Sequence, residues 1–200
     1  MALMRTSELP FKSPIEGETS FEVPGVARLK DLTRNLGVLH LRGPEAARAV
    51  LRFSGDQTGQ NSTATREARS MERGILCRLA MDEFLFLAEY PQEWESICAQ
   101  IEESAMEKNA TVSDLTHAYG KLEISGPGAA RLLPKLCGLD FSESGFPNGR
   151  VAQTSFAKVH ATLVRMDGPS GSLRYLLMVD RSLCAYVWEV VKAVMQTYDT

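Results

Sequence analysis

Nowhere does this 200-residue chain hold the roughly 20 consecutive apolar residues that a membrane-crossing helix needs. Its first residues, MALMRTSELPFKSPIEGE, lack the apolar core of a secretory signal, so a cytoplasmic protein with no membrane contact is expected. Basic excess is missing too. Lys and Arg number 22 against 25 Asp and Glu, for a net charge of -3. Nucleic acid, whose binding rests on phosphate neutralisation, is therefore not an expected partner. The four cysteines, Cys77, Cys98, Cys137 and Cys184, form no Cys-x-x-Cys pair, and no Cys/His cluster has zinc spacing, so no metal site is expected. Each lies in an apolar stretch, where a reduced thiol packs as a small hydrophobe. No Ser or Cys stands in the setting of a nucleophile elbow, and no catalytic residue is assigned.

What the chain does have is repetition. Residues 37–50 read GVLHLRGPEAARAV and residues 120–133 read GKLEISGPGAARLL. Gly37, Leu39, Gly43, Pro44, Ala46, Ala47 and Arg48 match Gly120, Leu122, Gly126, Pro127, Ala129, Ala130 and Arg131. In each copy alternating apolar residues predict a half-buried strand, glycine a turn, and proline the first position of a helix. Similar series follow. GILCRLAM (74–81) and EFLFLAE (83–89) read as a strand pair. A helix opened by Pro91 then buries Trp94, Ile97, Cys98, Ile101 and Ala105. VHATLVRM (159–166) and RYLLMVD (174–180) pair across the turn at 167–171. The last helix starts near Ser182 and buries Leu183, Val187, Trp188, Val191 and Val194 or Met195. A short strand near 110–116 leads into the second half. The expected fold is α+β, built from internally duplicated β-α-β-β-α halves. The expected division is an extended arm over 1–25, a first half over 26–109 and a second over 110–200, intertwined as one domain.

Two stretches interrupt the pattern. Residues 54–70 are polar and predict a mobile surface loop, and residues 138–150 are the matching connection in the second half. Leu122–Ile124 followed by Gly126-Pro127-Gly128 resembles the start of a dinucleotide fingerprint. However, Arg131 holds the third glycine position and Glu45 stands where the second copy has Gly128, so phosphate binding is rejected. Among the histidines, His40 is expected on the solvent side of its strand and His160 at a surface or edge. His117, in SDLTHAYG with Asp114, Thr116 and Tyr119, has two open readings: shaping the turn ahead of the second repeat, or contacting a ligand.

SDLTHAYGKLEISGPGAARLL (113–133) resembles the folate-binding superfamily of the glycine-cleavage aminomethyltransferase, with its Asp-Leu-Ser-His stretch, strand and Ser-Gly-Pro-x-Ala. Residues 110–193 are more closely similar to the gamma-subunit family of heterotetrameric sarcosine oxidases. MDEFLFLA (81–88) and FKSP (11–14) extend that resemblance more loosely. It implies two halves packed about a pseudo-two-fold. It also implies an accessory subunit, not catalytic by itself, among larger oxidase-like subunits; a homo-oligomer is the state expected in isolation. Tetrahydrofolate is the cofactor the resemblance implies, and the alternative reading is a small tetrahydrofolate-binding aminomethyltransferase-like protein. Its residual site would use Asp114, His117, Tyr119 and Arg150, the last pairing with the ligand's carboxylates. The related enzymes carry Gly-Ile-Leu-Asp-Asp-Leu where this chain has GILCRL (74–79), so Cys77 and Arg78 replace a folate-contacting carboxylate. Glu89 replaces a folate-contacting asparagine.

Overall fold

The computed structural model describes residues 12–53, 63–106, 109–168 and 171–198. Eleven strands and four α-helices follow in order among them: β1 (Ser20–Val23), β2 (Ala27–Asp31), β3 (Leu36–Arg42), α1 (Ala46–Phe53), β4 (Glu67–Met71), β5 (Gly74–Ala80), β6 (Glu83–Glu89), α2 (Trp94–Met106), β7 (Thr111–Asp114), β8 (Tyr119–Ser125), α3 (Ala129–Leu132), β9 (Val151–Phe156), β10 (Val159–Arg165), β11 (Arg174–Asp180) and α4 (Cys184–Gln196). They form two antiparallel sheets, of order β1-β2-β8-β11-β10-β9 and β4-β5-β6-β3-β7. The mixed architecture agrees with the α+β expectation.

Side-chain alternation explains the layering. In β8, Leu122 and Ile124 face the outer side of the first sheet and join Leu163, Tyr175, Leu177, Val187 and Trp188 under α3 and α4. In β3, Leu39 and Leu41 face the outer side of the second sheet, with Phe84, Phe86, Trp94, Ile97 and Ile101 under α1 and α2. The opposite faces meet in a third cluster that includes Val38, Cys77, Leu85, Leu87, Val164 and Met178. The order of layers is thus helix, sheet, sheet, helix. Each fully buried aliphatic or aromatic side chain here contributes about 1.5–3 kcal/mol.

The strands that precede the two repeated stretches cross over. β2, which precedes the first repeat, pairs with β8, and β7, which precedes the second, pairs with β3. The registers correspond: Asp31 lies opposite Leu122 and Asp114 opposite Leu39. Gly43 and Gly126 both take positive φ, +127° and +118°, ahead of their helices. A Cβ on Gly43 would strike the backbone of Asn109 at 2.7 Å, and one on Gly126 that of Ala27 at 3.0 Å.

Several expectations need correction. Pro44 and Pro127 sit in the turns before their helices rather than at the first helical position, and α1 and α3 begin at Ala46 and Ala129. The turns are closed by Ala46 N donating to Gly43 O and Ala129 N to Gly126 O, both at 3.1 Å. Likewise α2 begins at Trp94, not Pro91. The final helix is entered through Asp180, whose Oδ1 accepts from Ser182 N at 2.8 Å, and Leu183 is exposed while Cys184 takes its buried place. Within 54–70, residues 54–62 lie outside the described residues, but Glu67 onward forms strand β4 on a sheet edge. Strands β1, β2 and β9 were not anticipated either. The hairpin between β9 and β10 turns on Ala157 and Lys158, both at positive φ, a two-residue turn made without glycine or asparagine. Finally, His40 is only partly exposed and meets Glu83 Oε1 at 2.8 Å, whereas His160 is exposed as expected.

Candidate functional site

The polar groups that the sequence singles out lie where the halves cross. Asp-Leu-Thr occurs at 31–33 and again at 114–116. Each aspartate accepts from the threonine amide two residues on, Thr33 N to Asp31 Oδ1 and Thr116 N to Asp114 Oδ1, both at 2.8 Å. This is the local turn that Asp favours because its short side chain mimics a backbone acceptor. The buried threonine hydroxyls then cross over: Val38 N donates to Thr116 Oγ1 and Lys121 N to Thr33 Oγ1, each at 3.0 Å.

The second carboxylate oxygen of each aspartate is satisfied differently. Asp114 Oδ2 accepts from Trp94 Nε1 at 3.0 Å. Asp31 Oδ2 accepts from Ser13 Oγ at 2.5 Å, so a residue of the arm fills this place. Where Trp94 closes on Gly37, the smaller Cys184 closes on Gly120. The arm is held further by the burial of Ile15 and by Arg181 donating to Lys12 O at 2.7 Å.

His117 is half-buried beside Asp114. Its Nε2 lies 3.4 Å from Tyr90 Oη, and the two rings meet edge to face. Burial lowers its pKa, with Asp114 opposing and Lys121 and Arg181 adding to the fall, so the neutral ring is favoured. Lys121 is buried, donates from Nζ to Thr116 O at 2.7 Å, and is pushed down to about 8 by burial, against the pull of Asp114 and Asp31. Asp114, His117 and Lys121 thus form one cluster. Tyr119 packs against the cluster between the sheets, where burial raises its pKa and Glu83 and Asp180 add to the rise. Arg150 lines a separate cavity of about 300 Å³ with Arg66, Leu79, Asp140, Phe146 and Gln153. The four residues singled out from the sequence therefore do not share one pocket.

The positions that the resemblance ties to folate are also distinct in kind. Cys77 is fully buried and its thiol is pushed up to about 12. Arg78 donates to the carbonyls of Thr63, Ala80 and Met81, holding the chain around β5. Neither supplies a carboxylate, so these residues do not fit tetrahydrofolate in the way the resemblance implies. Glu89 lies on a groove of about 740 Å³ between the sheets, with Lys30, Arg73, Arg174 and Leu176. Among the described residues there is no group of three or more His, Cys, Asp or Glu able to hold a metal, and no helix long and apolar enough to cross a membrane.

The model of the GCVT N-terminal domain family matches residues 64–200. The chain belongs to that family. Among curated proteins no sequence match is found. A chain of the heterotetrameric sarcosine oxidase from Corynebacterium sp. U-96, solved with pyrrole 2-carboxylate, is similar in fold. Its TM-score is 0.74 at 20% identity, over 91% of this chain and 90% of that one. The glycine cleavage system aminomethyltransferase T from Bartonella henselae has a TM-score of 0.64 at 19% identity, over 82% of this chain but 44% of that one. This GCVT-family chain therefore has the aminomethyltransferase-like fold.

Three residues that matter to this arrangement were not singled out from the sequence. Lys121 stands where the first repeat has Val38, and that contrast was the available signal. Arg165 is buried and binds Asp167, Glu143 and the carbonyl of Phe146, which fastens the 138–150 connection. Arg66 lies in the polar stretch expected to be loop, and nothing in its sequence surroundings marks it.

Proposed function

We propose that this chain is an accessory, non-catalytic subunit of an oxidase assembly akin to sarcosine oxidase. The observation that carries the reading is the near end-to-end correspondence with one chain of the Corynebacterium enzyme, 91% against 90%, where the aminomethyltransferase extends far beyond this chain. The buried thiol of Cys77 and the engaged guanidinium of Arg78 support it. A proton relay in methylene transfer needs a carboxylate that this pair lacks. In this reading the two halves, 26–109 and 110–200, descend from one duplicated unit, and the arm over 1–25 and a sheet face meet the larger cytoplasmic subunits.

The test is purification of the tagged chain from its native host. The expected result is a stoichiometric complex with flavin-bearing subunits that oxidises sarcosine. Recovery of the chain alone, as a monomer or homo-oligomer, would overturn the proposal.

A second reading, tetrahydrofolate binding, rests on the size of the groove beside Glu89, about 740 Å³, whose lining mixes Lys30, Arg73 and Arg174 with Glu72, Glu89, Glu93 and Glu123. Titration calorimetry of the isolated chain with tetrahydrofolate decides it. Saturable heat supports folate binding, and no heat at high protein concentration rejects it.

A further inference from the structure

We propose that Arg66 and Arg150 form a binding site for a small organic carboxylate, in the cavity where the edges of the two sheets meet. The site shares Arg150 with the residues that the resemblance ties to a ligand but stands apart from Asp114, His117, Tyr119, Cys77, Arg78 and Glu89, and it does not depend on the accessory-subunit reading.

The edges are joined by backbone pairing. Glu67 bridges Arg150, Ala68 N donates to Gly149 O at 2.6 Å, and Val151 N donates to Arg66 O at 2.9 Å. In such an antiparallel pairing, alternation sends Arg66 and Arg150 to opposite faces. Arg66 is not bound by that rule, since it lies before β4 in the turn closed by Glu67 N donating to Ala64 O at 3.1 Å, with φ +68°, a region that residues with a Cβ rarely adopt. Both arginines line the same cavity. A strained non-glycine residue at such a place calls for a reason, and presenting a second guanidinium to the cavity is one.

The charges in the lining are unbalanced. Among the described residues neither Arg66 nor Arg150 has an ion-pair or side-chain hydrogen-bond partner, whereas nearby Arg165 is held by Asp167 and Glu143. Asp140, the one acid in the lining, is occupied locally: Oδ1 accepts from Ser142 N and Oδ2 from Ser142 Oγ, both at 2.9 Å. These bonds lower its pKa and keep it charged. Two cations against one engaged anion leave an excess positive charge facing the cavity.

The rest of the wall selects the kind of anion. Leu79, Phe146 and Val151 supply apolar surface, and Gln153 an amide. A volume of about 300 Å³ admits a small metabolite. Guanidinium groups match the planar fork of a carboxylate, and the apolar wall takes a hydrocarbon body. A bare inorganic anion would leave that wall unused.

Nuclear magnetic resonance titration of the full chain tests the site with three probes: hexanoate, hexanol and inorganic phosphate. Hexanoate is expected to give saturable shifts centred on Arg66, Phe146, Arg150 and Gln153, and to bind more tightly than the other two. Arg150→Gln is expected to weaken hexanoate about ten-fold, the loss of one charge-assisted contact. Arg66→Gly relaxes the backbone, so it should raise the melting temperature while weakening hexanoate. This variant keeps the test open even if Arg150→Gln folds poorly. Equal affinity for hexanol or for phosphate, no saturable shift, or unchanged hexanoate affinity in Arg66→Gly would overturn the proposal.

Discussion

The backbone amides of Val38 and Lys121 each donate a 3.0 Å hydrogen bond to a threonine of the opposite half, Thr116 for Val38 and Thr33 for Lys121. The main chain treats the two positions alike, and the side chains do not. Val38 is an ordinary part of the apolar layer between the sheets, while Lys121 buries an ammonium group there and directs it to Thr116 O.

Lys121→Met tests what that charge costs. In the unfolded chain Lys121 holds its proton up to the ordinary 10.5, but in the folded protein only to about 8. Between those values unfolding takes up a proton, so raising the pH favours the folded state. Lys121→Met should therefore be more stable than the native chain near pH 7, by about 2 kcal/mol after the lost bond to Thr116 O is counted. The advantage should shrink as the pH approaches 10. Denaturant unfolding across that range measures it, and a pH-independent difference would contradict the argument.

Gly37 and Gly120 are close-approach positions. A Cβ on Gly37 would overlap the Trp94 ring, and one on Gly120 would overlap Cys184. Gly37→Ala and Gly120→Ala should each destabilise by about 2–3 kcal/mol, as overpacking does in filled cores. Gly138 has nothing within 4 Å of an added Cβ, so Gly138→Ala serves as the control and should change the melting temperature little.

Arg165→Gln should release the connection over 138–150. Its guanidinium binds Asp167, Glu143 and Phe146 O from a buried position. Removing one member of a buried ion pair costs about 3–5 kcal/mol, because the partners keep their charge without compensation. Glu143 is exposed at its end of the network, which places the loss at the lower limit. Hydrogen exchange should rise first at Phe146 and Gly149, ahead of the strands. Uniform loss of protection would show that the effect is not local.

The cysteines should differ in reactivity by burial. Cys77 and Cys184 are buried and both thiols are pushed up to about 12, while Cys98 is partly exposed. Since the thiolate is the reacting form, a thiol reagent at pH 8 should label Cys98 first and Cys77 and Cys184 only on unfolding. Mass mapping of the native protein reads the order.

The central strands, with their apolar runs or alternation, were legible from their pattern alone. Leu39 and Leu41, Phe84 and Phe86, Leu122 and Ile124, and Leu163 with Leu177 alternate or run as buried strands must. Of the edge strands, β7 was legible as the short strand near 110–116, but β1 and β4 were not. β4 carries no fully buried residue, and β1 has one, Val23, so neither shows a clear period. β2 does alternate, but one of its buried positions is Asp31, which is stable there only because Thr33 N and Ser13 Oγ satisfy it. Asp114 and His117 could be marked as a polar cluster from sequence. Their separation from Arg150 could not, because it depends on which sheet edges meet.

What the linear chain determined was the pair of matching Gly-Pro units, with the apolar faces and turns that make each half able to fold the same way. Local sterics and side-chain alternation suffice for that, since they act over a few neighbouring residues. The tertiary structure decided where those halves cross. It gave β2 to one sheet and β7 to the other, buried Lys121 at the position that corresponds to Val38, and brought Arg66 and Arg150 to one cavity across two sheet edges. Those outcomes rest on long-range pairing and on desolvation by the completed layers, which no short stretch of sequence carries.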